Sequence, residues 1–229
     1  LTIKNTLRTP DLYLQLDALL PQTQCTKCGF PDCQSYARAM AEGLAEHNRC
    51  PPGGVEGISR LAKHLKKPIL PLDESHGVER PRPLAVINPK ECIGCTLCIQ
   101  ACPVDAIVGA AKQLHIVINE LCTGCDLCVP PCPVDCIAMI PVTGSKTGWD
   151  AWSNEQAQTA KTHYEKRNLR LIREEKDLLK RQTAKASAKL KKVSSSTLKN
   201  DESENARKKA IIEAAMARAK QRLDELGPK

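Results

Sequence analysis

CTGCDLCVPPCPVDCIA, residues 122–138, places five cysteines in 17 positions, and the fold turns on which of the five act together. Cys122, Cys125, Cys128 and Cys132 repeat, at an offset of 30 residues, the earlier set Cys92, Cys95, Cys98 and Cys102, and both sets close on Cys-Pro-Val-Asp. Self-similarity of this kind marks two copies of one small structural unit. Cys136 aligns with Ala106 of the first copy, a position that holds no ligating atom. It is therefore expected to be a small buried apolar side chain rather than a ligand. Val86-Ile87-Asn88 ahead of the first set answers Val117-Ile118-Asn119 ahead of the second, offset by one residue. Such short β-branched stretches predict small strand pairs flanking each half, with a short helix at the end of each cysteine run.

The spacing C-x2-C-x2-C-x3-C-P has a chemical reason. A 4Fe-4S cube needs one thiolate at each of four irons; a compact loop reaches three corners, and in paired sites the fourth cysteine ligates the other cluster. One cluster is therefore expected on Cys92, Cys95, Cys98 and Cys132, and its neighbour on Cys122, Cys125, Cys128 and Cys102. Gly94 and Gly124 let each loop fold back tightly, leaving amide groups to point at sulfur, and Pro103 and Pro133 redirect the chain after the crossing ligand. Zinc is the competing ligand, since C-x2-C pairs also build zinc sites, but tandem four-cysteine repeats ending in Cys-Pro are far more specific to iron–sulfur.

Cys25, Cys28, Cys33 and Cys50 form a third quartet with different spacing. Three would come from a loop and the head of a helix, the fourth from the turn Cys50-Pro51-Pro52-Gly53-Gly54. On spacing alone both zinc and iron–sulfur fit this set. Around it, Thr9-Pro10-Asp11 reads as a helix start, with Leu12, Leu16, Leu19 and Leu20 on one face before Pro21. Ala37, Met40, Ala41 and Leu44 predict a second helix from Cys33 to about Asn48, and Ile58, Leu61, Ala62 and Leu65 a third.

Residues 68–83, with Pro68, Pro71, Pro81 and Pro83 and no hydrophobic period, read as a linker. Lys+Arg and Asp+Glu balance over residues 1–148, so the whole net charge of +8 lies in residues 149–229. There Ser153 and Gln156 look like a capping box for a helix reaching about Lys192; Ser194-Ser195-Ser196 breaks it, and a last helix runs to Leu226 with Gly227-Pro228 as its stop. Sparse apolar residues make this extension a solvated one, helical or partly disordered. No aromatic residue occurs between Tyr36 and Trp149, so the core of the cysteine-rich part is aliphatic side chains and whatever the thiolates hold.

Several functions are excluded by what the chain lacks. Nothing at its start reads as a signal peptide, and tight cysteine repeats point to a reducing compartment rather than a disulfide scaffold. No run of 18 apolar residues occurs, so no membrane span is expected. There is no Gly-rich nucleotide loop and no flavin fingerprint. His47, His64, His76, His115 and His163 are scattered, and His115, where the second half begins, reads as structural. With every iron corner filled by cysteine, no catalytic site of its own is expected, and the chain should pass electrons rather than transform a molecule. Within residues 84–140, Lys90 and Lys112 face Glu91, Asp105, Glu120, Asp126 and Asp135, an acidic surface suited to basic patches on redox partners. The alternatives are an electron-wiring subunit of a soluble flavin-dependent oxidoreductase, with a flavoprotein as partner, and a zinc-binding nucleic-acid or interaction protein. Missing aromatic platforms speak against nucleic acid.

CTKCGFPDCQSYARAMAEG (25–43) and NRCPPGG (48–54), followed by CIGCTLCIQACPVDAI (92–107) and CTGCDLCVPPCPVDCIAMIP (122–141), resemble the B subunit of the Rnf (Rsx) ion-translocating electron transport complex of bacteria, over about residues 5–145. The resemblance implies a 4Fe-4S cluster on the first quartet as well, hence three such clusters, and relay of electrons between a soluble ferredoxin-like carrier and Rnf-type membrane subunits. In some bacteria that complex keeps a redox-sensing transcription factor reduced. Members usually begin with a transmembrane helix and this chain shows none, so a cytoplasmic protein is expected, at most peripheral at the cytoplasmic face of the inner membrane, with the Lys and Arg of the extension on anionic lipid. It would be at most an electron-transfer subunit of a membrane-linked oxidoreductase. The fold class is then α+β: a small helical single-cluster domain over 1–67, the linker 68–83, a two-cluster bacterial-type ferredoxin domain over 84–145, and the basic helical extension over 149–229.

Overall fold

The computed structural model describes residues 9–195 and 202–227. It is a mixed structure of helices and two small sheets, and the chain divides into two compact units, Leu1–Glu165 and Lys166–Lys229.

The first unit opens with α1 (Thr9–Ala18), whose Leu16, with Leu20 just past its end, packs on Tyr36, Ala37 and Met40 of α2 (Cys33–Ala41). α2 starts where Asp32 accepts a hydrogen bond from Ser35 N, a side-chain cap that satisfies one orphan amide of the first turn. It stops at Ala41, well short of Asn48: Gly43 takes φ +74 and Leu44 turns out to solvent at 73% exposure. The reason lies in Tyr36, whose ring is 1% exposed. Its hydroxyl donates to Glu46 O at 2.7 Å and accepts from Arg49 N at 3.1 Å. Those bonds fold residues 42–49 back over α2 and deliver Cys50 to the same end of the helix as Cys33. α3 (Gly54–Leu65) follows and buries Ile58, Leu61 and Ala62, the stripe its sequence period predicts.

Residues 68–83 are tied down along their length. Asn48 Nδ2 donates to Pro71 O, Asp73 N to Asn48 O, and Glu79 accepts from Val55 N and Thr147 Oγ1. The repeat then folds as two antiparallel ribbons. β1 (Pro83–Ile87) pairs with β4 (Ile137–Pro141), and β2 (Ile107–Val108) with β3 (Ile116–Val117). The strand before the first cysteine run thus pairs with the strand after the second, and the inner two pair with each other. That exchange places the end of each run against the start of the other. The halves share backbone detail, since left-handed φ values recur at Gly94 and Gly124, Thr96 and Asp126, Asp105 and Asp135. They differ in one element: α4 (Leu97–Ala101) ends the first run, while the second ends in turns only.

α5 (Asn154–Ser195) begins on the expected box, Ser153 N donating to Gln156 Oε1 and Gln156 N to Ser153 Oγ. Its first turns belong to the first unit. Trp149, Trp152, Ala157 and Ala160 form a buried cluster, Trp152 Nε1 donates to Pro21 O at 2.8 Å, and Lys161 pairs with the buried Asp17. Residues 149–165 are therefore packed structure, not the start of a solvated extension; the two indoles supply the burial that the low count of apolar residues hides. In the second unit the later part of α5 and α6 (Glu202–Glu225) are joined by Arg222 and Glu175 at 2.8 Å. Ser196 and Pro228, parts of the predicted break and stop, lie outside the described residues, as do residues 1–8. Among the described residues no helix is long and apolar enough to cross a membrane.

Candidate iron–sulfur centres

Cys25 and Cys28 lie in a loop shaped by left-handed Gln22, Gln24 and Thr26, Cys33 opens α2, and Cys50 begins the turn into α3. A relay of buried amides holds that loop: Gln22 Nε2 donates to Asp17, Gln24 Nε2 to Gln22 Oε1, and Cys33 N to Gln24 Oε1 at 2.9 Å. All four thiols are buried. Burial pushes Cys33 well above the usual thiol range, and Cys50, Cys25 and Cys28 press it further; Cys50 is pushed the same way by burial and by Cys25 and Cys28. Cys28 is pushed up to about 11, by burial first. Cys28, Cys33 and Cys50 are each pushed up in part by neighbouring sulfurs of the quartet, and as thiolates such neighbours call for positive charge among them. Gly53 is part of the fit, because a Cβ at that position would stand 3.3 Å from Cys50 Sγ.

In the repeat the cysteines line two cavities. One is bounded by Cys92, Cys95, Cys98 and Cys132, with Ile87, Ile93, Val134, Ile137, His115 and Cys136. The other is bounded by Cys102, Cys122, Cys125 and Cys128, with Ala85, Val104, Ala106, Ile107 and Met139 and the polar Thr123 and Asp126. Each cavity takes three cysteines from one run and the fourth from the other, a consequence of the strand exchange. Cys125 and Cys128 are each pushed up to about 12, by burial first and then by sulfurs that include Cys102. The loops are as tight as the glycines suggested: a Cβ on Gly94 would lie 2.5 Å from Gln113 N, and one on Gly124 2.5 Å from Pro83 O. Among the described residues no three His, Cys, Asp or Glu side chains stand together as a site for a single ion. The two sets of four thiols in the repeat, in cavities lined mostly by apolar side chains, suit a thiolate-held cluster of several irons.

Cys136 is buried as expected, yet it is not a bystander, since its Sγ lies 3.5 Å from Cys132 Sγ and it lines the same cavity. Its thiol is pushed up to about 12, by burial and then by Cys132. His115 is buried too, with Nδ1 3.2 Å from Cys98 Sγ. No motif announces this contact, which depends on the β2–β3 hairpin.

Residues adjacent to the ligand positions of the first quartet also meet those of the second run. Thr123 Oγ1 donates to Thr23 O at 3.0 Å, and Lys27 Nζ bonds Asp126 Oδ2 at 2.8 Å, with Arg80 on the same carboxylate. Arg82 Nη1 donates to Cys122 O at 3.0 Å and its guanidinium lies 4.5 Å from the centre of the Trp152 ring. No sequence pattern announces that Lys27 and Asp126 pair across 99 residues.

Residues 85–139 match the family described as "4Fe-4S dicluster domain", and residues 20–52 the family described as "Putative Fe-S cluster". Curated relatives include proteins named as the B subunit of an ion-translocating oxidoreductase complex. That of Azoarcus sp. (strain BH72) is 60% identical over 135 residues, which is 59% of this chain and 74% of the relative. That of Thiobacillus denitrificans is 58% identical over 59% of this chain and 72% of the relative. That of Alkalilimnicola ehrlichii is 57% identical over 148 residues, 64% of this chain and 79% of the relative.

Proposed function

The chain belongs to the family of B subunits of the ion-translocating oxidoreductase complex, iron–sulfur proteins of electron transfer, and on that premise we propose that it carries three 4Fe-4S clusters in series with no catalytic site of its own. Cys25, Cys28, Cys33 and Cys50 would hold the first, Cys92, Cys95, Cys98 and Cys132 the second, and Cys122, Cys125, Cys128 and Cys102 the third. The observation that carries this is that each of two cavities in the repeat is lined by three cysteines of one run and the crossing cysteine of the other, with Cys136 as a fifth sulfur in the first. When bound, such clusters supply one-electron redox chemistry at potentials set by their surroundings. The protein's part is to hold the thiolates, keep water out with Ile87, Val104, Ile107 and Ile137, and fix the loops to one another.

The Thr23–Thr123 and Lys27–Asp126 contacts support a rigid junction between the first quartet and the Cys122 loop. A helical single-cluster domain over 1–67 and a two-cluster ferredoxin domain over 84–145 are the corresponding modules. The partners proposed are a ferredoxin-like donor and Rnf-type membrane subunits, met at the cytoplasmic face of a bacterial inner membrane, with the basic second unit on anionic lipid. The test is ligand replacement: Cys102→Ser should alter the paramagnetic signal of the centre held by the Cys122 loop, whereas an effect confined to the centre held by Cys92, Cys95 and Cys98 would contradict the crossed arrangement.

A further inference from the structure

The two cavities of the repeat are not equivalent around their sulfurs. His115 sits just ahead of β3, 2% exposed, with Nδ1 3.2 Å from Cys98 Sγ and Nε2 without a hydrogen-bond partner among the described residues. The hairpin holds the ring from one side: a Cβ on Gly109, where φ is +156, would lie 2.4 Å from His115 Cδ2. Only glycine leaves room for the imidazole there. In the other cavity the lining residues include no histidine among the described residues, and a backbone donor, Ala106 N, reaches Cys102 Sγ at 3.2 Å.

A ligating cysteine is a thiolate and has no proton to give. The contact between His115 and Cys98 can then be a hydrogen bond in one direction only, with Nδ1–H donating to sulfur. A donor aimed at a ligand sulfur stabilises negative charge, and the reduced cluster carries one more negative charge than the oxidised. Burial strengthens the effect, since a low local dielectric screens it little. Hydrogen bonds to sulfur are among the factors that set cluster potentials.

Resting on the three-cluster assignment above, we propose that His115 is a positioning residue that raises the reduction potential of the centre held by Cys92, Cys95, Cys98 and Cys132 and leaves the other two unmoved. It makes the two halves of a repeated sequence electronically different, so that the pair has a direction.

The experiment is a redox titration followed by low-temperature paramagnetic resonance on the full chain, comparing the wild type with His115→Leu and His115→Asn. Asn can place an amide donor near the position of Nδ1; Leu cannot. In His115→Leu one signal should shift its reduction equilibrium about tenfold toward the oxidised form, ~59 mV for one electron, and His115→Asn should recover most of that shift. Unchanged potentials in His115→Leu, or equal shifts in both variants, overturn the proposal. If the Leu variant loses the cluster, wild-type protein labelled with nitrogen-15 histidine decides. A histidine nitrogen coupling on one reduced cluster supports the proposal, and its absence from every cluster sinks it. A wild type that shows no second centre in the repeat would contradict the cluster assignment instead, a result distinguishable from either.

Discussion

At the residue scale the division of labour among thirteen cysteines follows from where backbone turns place them. Cys136 touches Cys132, yet Ala stands at the equivalent position of the other half, so Cys136→Ala should leave iron content unchanged within error when measured colorimetrically. Cys102→Ser should lower the iron content, by at most about four irons, since only one cube loses a cysteine ligand. Tyr36 acts at one remove. Its hydroxyl holds the backbone at Glu46 and Arg49, and Tyr36→Phe leaves two backbone groups without that partner. A loss of about 1–3 kcal/mol in denaturant unfolding is expected, with Cys50 the thiol that becomes easiest to alkylate. The cysteine spacing that suggests how the thiols group was legible because it repeats along the chain. Contacts of His115, Arg82 and Tyr36 were not, because they depend on hairpins and turns whose closure leaves no periodic trace.

At the element scale the packing of residues 149–165 decides where the protein can be cut. Trp152 is buried and bonded to Pro21 O, and Trp149 lies under Arg60, whose guanidinium is 4.4 Å from the ring centre. Trp152→Ala should destabilise the first unit by ~3–5 kcal/mol, the range for a large aromatic removed from a core. A chain ending at Glu165 should assemble its iron centres as the full chain does, and one ending at Gly148 should retain less iron after the same purification. Equal iron in both would mean that the indoles are ornaments on the fold. The α1 and α3 faces and the Ser153–Gln156 box were readable because period and caps are local. The early end of α2 was not: its apolar period runs on to Leu44, and what overrides it is a tertiary bond from Tyr36.

At the scale of the whole molecule the charges are segregated. Residues 166–229 hold 19 Lys+Arg against 9 Asp+Glu, while the repeat is acidic before its clusters add more negative charge. If the second unit rests on anionic lipid, the full chain should sediment with phosphatidylserine vesicles at low salt and be released as ionic strength rises, since screening shortens the reach of such charges. A chain ending at Glu165 should stay in the supernatant; sedimentation of both would assign the contact to the first unit. That a first cysteine quartet precedes the paired repeat was visible in the sequence, because each has its own cysteine spacing. How the first quartet's loop meets the second run was not, as it rests on single pairs such as Thr23 with Thr123 that no pattern announces.

If twelve of the thirteen cysteines hold three four-iron clusters, metal analysis with quantitative paramagnetic resonance on anaerobically purified full chain is the most direct test. The result expected is a brown protein with about twelve irons and as many sulfides per chain, no stoichiometric zinc, and three interacting reduced centres. A colourless protein with stoichiometric zinc bound by the same cysteines would contradict it.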